Sequence, residues 1–454
     1  MNENILGTEK ITKLFAKFSI PAIIAMLIAG MQSVVDGIFV GNFVSSNAMA
    51  SVSIGAPFMQ IVIGVSMLVS VGALSYMGRS LGENKIEQAQ DIFKTSFISL
   101  SIVAVFFTII GFLFSSNIAK FFGANEVLLS EVSLYIKTIS ICILPMSLAF
   151  LFGFSNRLLG KPDLYFKGMV LSLITNITLN FILIKILKLG IVGAALATGI
   201  SYSSVFLVVV HPLIKKNSLI NIFIGNFKKT IIIPVAYNGL SEAIASVTAA
   251  ISAFLFNMAF IKFAGEDGVT AFSSIGYVTQ FGSLIIFGIG DGISSIISYN
   301  YGAKYMDRVK SIFNLAMKIA LCVGTLTFIC VFFFSENLVK IFVPSNYEVI
   351  NIAVSGSKIY ALAYLIIAIT TLSSSYFTAI GYAKESVIIA LSRGLIFITI
   401  GITVLPSIFG INGVWLTIPF SEFMTLFICL HLNKKYGINK LLEYEESSGL
   451  TVTK

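Results

Sequence analysis

Charge is what this chain has least of. Only 11% of its 454 residues are Asp, Glu, Lys or Arg, against roughly 25% in a soluble domain. With a mean hydropathy of +0.95, that deficit excludes a water-exposed fold. Histidine occurs twice, as His211 and His431 near helix ends, which leaves no His-based catalytic or metal centre. The four cysteines, Cys142, Cys322, Cys330 and Cys429, all fall in apolar runs. Their spacing suits neither a disulfide framework nor a metal site, and they read as small buried hydrophobes. A Walker-type phosphate loop is absent, so ATP bound in that manner is excluded. The run Gly-Ile-Gly-Asp-Gly at 288–292 looks superficially like a nucleotide loop, yet it lies inside an apolar stretch and reads as a closely packed helix segment. The net charge of +9 is spread over many loops rather than clustered, which gives no nucleic-acid surface. No cofactor and no metal is expected. Residues 1–13 are polar and mixed in charge, and the apolar run after them is too long for a signal-peptide core, so it reads as a first span.

What the chain has in quantity is long apolar runs, among them 14–44, 52–77, 97–114 and 231–261. About 18 apolar residues suffice to cross the hydrocarbon. Twelve such segments begin near residues 15, 52, 93, 132, 166, 191, 231, 270, 311, 352, 385 and 412. They are too long, and too irregular in alternation, for barrel strands. The expected fold is an all-α integral membrane protein with twelve transmembrane helices.

Much of this hydrophobic text is written twice. Phe112-Leu-Phe-Ser-Ser-Asn-Ile-Ala-Lys-Phe-Phe122 recurs 220 positions later as Phe332-Phe-Phe-Ser-Glu-Asn-Leu-Val-Lys-Ile-Phe342, and Gly190-Ile-Val-Gly-Ala-Ala-Leu196 as Gly410-Ile-Asn-Gly-Val-Trp-Leu416. The same shift pairs Gly82 with Gly302 and Phe93 with Phe313. It carries span 3 onto span 9. Six is an even number of crossings, so the copies run the same way through the bilayer as parallel repeats of six helices each. The expected division is a first lobe at 1–214, a linker at 215–230, a second lobe at 231–432 and a tail at 433–454. Lys and Arg divide roughly 23 to 7 between the two sets of span ends, and the positive-inside rule puts both termini and the linker in the cytoplasm of a cell-membrane protein.

Ionisable residues inside spans cost about 2.5–3.5 kcal/mol on insertion scales and are functional candidates. Asp36 lies about 28 Å along the helix from Lys17, with apolar neighbours Val34, Val35, Ile38, Phe39 and Val40. A carboxyl in that setting is a candidate proton carrier. Asn176 and Asn180 are one helical turn apart on span 5 and share a face, and Thr198 falls in the outer half of span 6. These three residues and Asp36 form a candidate ion-coupling set; the alternative is hydrogen-bonding that holds the helices together. Glu242, near mid-membrane on span 7, and Asp291, deep in span 8, are candidates for binding a cation or a cationic substrate. Lys185 and Lys188 sit near a span end and are expected to snorkel. Lys318, Lys358, Arg393 and Glu422 read as interfacial or inter-span partners, and Phe150, Phe152 and Phe154 as residues able to line an apolar cleft. Pro21, Pro145 and Pro234 are expected to give local bending.

Pro21, Val35-Asp-Gly-Ile-Phe-Val-Gly41 and Ala48-Met-Ala-Ser-Val-Ser-Ile-Gly-Ala-Pro57 resemble the first-span signature of multidrug and toxic compound extrusion (MATE) transporters. Gly78-Arg-Ser-Leu-Gly82 resembles the end of that family's second span, and Arg157-Leu-Leu-Gly-Lys-Pro162 the loop after its fourth. Gly239-Leu-Ser-Glu242, Gly265-Glu-Asp-Gly-Val269 and Ile297-Ser-Tyr-Asn-Tyr-Gly-Ala303 are similar to its MepA-like branch. The resemblance covers about residues 10–435. It implies a V-shaped pair of six-helix bundles and efflux of cationic amphipathic compounds in exchange for H+ or Na+. It also implies that Asp36 is the first-span acid whose protonation rearranges the first lobe. Archaeal and related members carry Asn-x-x-x-Asp on span 5 where this chain has Asn176-Ile-Thr-Leu-Asn180, a departure that removes a second acid.

The expected function is cation-coupled antiport by a monomer in the lipid bilayer, with small cationic or amphipathic substrates and no ATP. A lipid or polysaccharide flippase of related fold is the alternative, although a long anionic substrate calls for several Arg and Lys in mid-span, and few lie there. An intramembrane enzyme needs a nucleophile–base or metal constellation that the sequence lacks. A passive channel fits duplicated lobes with an isolated acid less well than alternating access does.

Overall fold

The computed structural model describes residues 5–215, 218–342 and 346–437. Within them the chain is helical almost throughout and contains no strand. Nine helices among the described residues are long and apolar enough to cross a membrane, two bent pairs supply one span each, and the 74-residue helix Lys229–Gly302 divides at Gly265. The result is twelve spans. Span 1 is Ile11–Phe43, span 2 Ser46–Gly82, span 3 Ile86–Leu113, span 5 Asp163–Ile186 and span 6 Gly190–Ile214. Span 4 is the bent pair Leu129–Ser140 and Ile143–Leu158. Spans 7 and 8 flank Gly265, span 9 is Met306–Lys340, span 11 Ala383–Phe409 and span 12 Ile411–Tyr436. Span 10 is the bent pair Tyr347–Ala361 and Tyr364–Ile380. Where the sequence suggested a break before residue 270, helix continues on both sides of Gly265, whose φ of 62° and ψ of −154° make the whole turn.

The repeat is visible in the backbone. Left-handed residues recur at Asn84 and Lys304 after spans 2 and 8, at Gly160 and Gly381 after spans 4 and 10, and at Gly190 and Gly410 before spans 6 and 12. Spans 4 and 10 each bend by 50°. Spans 5 and 11 each contain a π-helical stretch, Asn180–Ile186 and Ser392–Ile396. Span 10 bends without a proline at the break, so Pro145 is not the cause of the shared bend. It is accommodated in the first turn after it. Spans 1–6 and 7–12 thus form two six-helix bundles related as parallel repeats.

Small residues let the bundles meet. A Cβ on Gly72 would run into the Val235 carbonyl, and one on Gly239 into the Leu68 carbonyl, so spans 2 and 7 touch backbone to backbone. On the other side of the pseudo-twofold, Gly288 and Gly292 of span 8 pack on Ile23 and Ser19 of span 1. Gly82 and Gly302 cross where spans 2 and 8 end. Residues 288–292 are therefore close-packed helix, as the apolar context implied. All these contacts lie in the half of the molecule that holds residue 5 and residue 437. In the far half, a Cβ on Gly37 or Gly276 would meet no heavy atom within 4 Å. Among the described residues the bundles meet most closely at the terminal-bearing end, which is the closed end.

Two expectations are corrected here. Phe152 and Phe154 do not line a cleft: both are buried, and Phe152 stacks among Phe93, Phe97 and Phe206 with ring centroids 5.6–5.8 Å apart. Cys142 and Cys429 are buried, but Cys322 and Cys330 face outward from span 9. The connecting segment between bundles is fastened rather than free. Gln90 donates to the Asn221 carbonyl at 2.6 Å, Lys94 to the Ile222 carbonyl at 2.6 Å, and Lys228 pairs with Asp91 at 2.6 Å. Lys216 and the tail after 437, including Lys440 and Lys454, lie outside the described residues.

Candidate functional site

Span 5 presents Asn176 and Asn180 one turn apart, both with no exposed surface. Asn180 begins the π-helical stretch of that span. Both amides point at one atom. Asn176 Nδ2 donates to Asp36 Oδ1 at 2.9 Å, and Asn180 Nδ2 donates to the same oxygen at 2.7 Å. Thr198 Oγ1, from span 6, donates to Asp36 Oδ2 at 2.8 Å. A further bond from Asn180 Nδ2 to Asn176 Oδ1 at 3.2 Å ties the two amides together. The structure thus gathers the whole first-lobe set around one carboxylate. One turn earlier on span 1, Gln32 donates to Ser172 Oγ at 2.9 Å, extending the polar seam between spans 1 and 5. Asn180 Oδ1 is buried and has no hydrogen-bond partner.

The second lobe holds a different arrangement. Glu242 borders a cavity of about 300 Å³ between spans 7, 8, 10, 11 and 12. Its carboxylate has no side-chain partner among the described residues. Across the cavity Arg393 Nε donates to Glu422 Oε1, Arg393 Nη1 to Thr371 Oγ1 at 2.7 Å, and Thr370 Oγ1 to Glu422 Oε2 at 2.6 Å. Tyr360 and Tyr364 add aromatic wall. Tyr364 gives its hydroxyl to the Thr279 carbonyl at 2.8 Å. The sequence marked Arg393 and Glu422 as inter-span partners, and they are, but it did not join them to Glu242. The signal was two opposite charges inside apolar runs; their spacing of 29 positions carried no information about a shared wall.

Asp291 does not share that cavity. Its Oδ1 pairs with Arg157 Nη1 at 2.7 Å, with side-chain exposures of 14% and 2%. Phe154 and Tyr165 lie under the guanidinium at 4.9 and 5.5 Å. The pair joins span 4 of one bundle to span 8 of the other at the closed end. Asp291 thus gives Oδ1 to a protein cation in an inter-bundle tie, while its Oδ2 is buried with no hydrogen-bond partner. Lys185 lies over the rings of Phe43 and Phe181 at 5.2 and 5.1 Å near the end of span 5. No group of three or more His, Cys, Asp or Glu suited to a metal occurs among the described residues.

The MatE family model matches this chain twice, over residues 21–182 and 243–403. The chain belongs to the MatE family. The two matched stretches begin at equivalent places in the two bundles, so the family's own unit is the repeat seen in the sequence. Multidrug export protein MepA of Staphylococcus saprophyticus is 24% identical over 408 residues, covering 87% of this chain and 88% of the relative. The Staphylococcus aureus protein of the same name is 25% identical over 420 residues, covering 91% and 92%. A MATE protein crystallised in complex with MaL6 superposes with a TM-score of 0.90 at 22% identity, over 98% of this chain and 100% of its own. This MatE chain is therefore a multi-pass membrane protein with the twelve-helix MATE fold.

Proposed function

We propose that this chain is a secondary active multidrug exporter of the plasma membrane, exchanging cationic amphipathic compounds for H+ or Na+. Residues 1–214 and 231–432 are its two lobes, 215–230 the cytoplasmic linker and 433–454 a cytoplasmic tail. The membership in MatE and the likeness to the MepA proteins support export of small compounds. The observation that carries the coupling is Asp36 held by Asn176, Asn180 and Thr198.

Both amides donate to Oδ1, while the Thr198 hydroxyl, able to donate or to accept, meets Oδ2. A proton arriving on Oδ2 makes that oxygen a donor, and the Thr198 hydroxyl, which also reaches the Ala194 carbonyl at 3.1 Å, turns to accept from it, so the contact between spans 1 and 6 is rearranged. A sodium ion has a similar effect: the amides must rotate so that Oδ1 atoms face the cation. Either event alters how span 1 is held by spans 5 and 6. Span 1 carries Ser19 and Ile23, against which Gly292 and Gly288 of the other lobe pack. Ion entry is thereby linked to the inter-lobe contact. Because the ion and the drug stabilise different arrangements, each drives the other across the membrane. With the termini in the cytoplasm, the close inter-bundle contacts lie on the inner side, as the state in which drug leaves and the ion enters requires.

The test is ethidium efflux from energised and de-energised cells expressing the protein, with Asp36→Asn alongside. The reading predicts that the variant is indistinguishable from de-energised cells. Full active efflux by Asp36→Asn overturns it. An uncoupler in one arm and sodium omission in another identify the coupling ion.

A further inference from the structure

The second-lobe cavity is bordered by three charged side chains, and two of them are already spent on each other. Glu422 accepts from Arg393 and Thr370, while Arg393 also donates to Thr371. Arg393 nonetheless faces the cavity: its side chain is 23% exposed, against 4% for Glu422. The ring of Phe287, also in the wall, lies 5.6 Å from its guanidinium. Full enclosure would only add to the desolvation cost of such a pair, whereas lining a void leaves its guanidinium facing whatever the void holds. Placed here, the pair contributes to what the cavity presents. With Glu242 ionised, two carboxylates and one guanidinium leave one net negative charge, carried by Glu242.

We propose that the Arg393–Glu422 pair fixes this cavity at a single net negative charge and so selects singly charged organic cations over doubly charged ones. The inference rests on reading the Glu242 cavity as a cation site. The physics is a matter of counting. A second positive charge on the ligand would be desolvated with no carboxylate left to meet it, because Glu422 is held by Arg393. Removing the guanidinium frees Glu422, and in a medium of low effective dielectric an added charge pair at several ångströms changes affinity by about tenfold or more.

The experiment is fluorescence titration of the purified full chain with ethidium, which carries one charge, and propidium, the same phenanthridinium bearing a second permanent charge. The wild-type chain is expected to favour ethidium. Arg393→Gln shifts the ratio of affinities toward propidium by about tenfold. Glu422→Gln leaves the guanidinium beside Glu242 and weakens both dyes. Arg393→Gln with Glu422→Gln returns the cavity to one net negative charge and restores both the ethidium preference that Arg393→Gln loses and the affinity that Glu422→Gln loses. Thermal melts run on the same samples show whether each variant is folded. If Arg393→Gln does not fold, the contrast between Glu422→Gln and the double variant carries the test. A brace without a role in selection lowers melting temperature and both affinities together and leaves the ratio unmoved; that result overturns the proposal. Glu242→Gln separates the two levels. Ethidium binding unchanged by Glu242→Gln removes the cation-site reading itself. Binding lost in Glu242→Gln with a ratio unmoved in Arg393→Gln removes the charge-selection proposal alone.

Discussion

The two lobes share a backbone and differ in chemistry. In the first, the acid is enclosed: Asp36 receives three hydrogen bonds from spans 5 and 6. In the second, the acid is free: Glu242 faces a cavity, and Glu422, the other carboxylate bordering it, is matched by Arg393. Carried forward 220 positions, Asn176, Asn180 and Thr198 fall on Ile396, Ile400 and Ile418, and Asp36 falls on Phe256, or on Asn257 at a shift one longer. Carried back, Glu242, Arg393 and Glu422 fall on Ala22, Leu173 and Tyr202. Neither site has a counterpart. The duplication therefore preserved what shapes a six-helix bundle, namely the left-handed residues, the bends of spans 4 and 10 and the small residues at the crossings. Each lobe then acquired its own polar side chains. An enclosed acid with matched donors suits a small ion that replaces one of its contacts, and a free acid in a void suits a larger cation.

The sharpest way to break this contrast is Asp36→Asn, for which active ethidium efflux is expected to fall to the level of de-energised cells. Adding Asn257→Asp to that variant is expected to restore nothing, because the positions equivalent to Asn176, Asn180 and Thr198 are isoleucines. Recovery of efflux would show that the lobes are chemically interchangeable. Next in size is Arg157→Met, which leaves Asp291 buried without its cation across the lobe boundary. Loss of one partner of a buried pair costs about 3–5 kcal/mol, to be read as a large drop in melting temperature, and Asp291→Asn added to it should recover part. Glu242→Gln should weaken ethidium binding about tenfold with little change in melting temperature. The smallest effect is expected at Gly37→Ala. Its new methyl meets open space, so stability should stay within about 0.5 kcal/mol of the parent. Gly82→Ala at the closed end drives a methyl into the Tyr299 carbonyl and should cost about 1–3 kcal/mol.

Much of this was legible in the sequence, for identifiable reasons. The twelve spans follow from run length, and the repeat from glycines whose left-handed or close-packed backbone tolerates little else. The grouping of Asn176 and Asn180 follows from helical periodicity, and its pairing with Asp36 from depth along the spans. What was not legible depends on azimuth and on contact across the lobe boundary. Asp291 looked free because Arg157, its partner, comes from the other bundle 134 residues away. Phe152 looked available because a run of apolar residues does not say which face is inward. Arg393, Glu422 and Glu242 share a cavity only through the packing of spans 7, 11 and 12.

The division of labour between the lobes is tested most directly by titrating ethidium into purified Asp36→Asn and Glu242→Gln protein side by side. The account predicts that Asp36→Asn binds within about threefold of the parent while Glu242→Gln loses about tenfold. Loss of binding in Asp36→Asn with full binding in Glu242→Gln would contradict it.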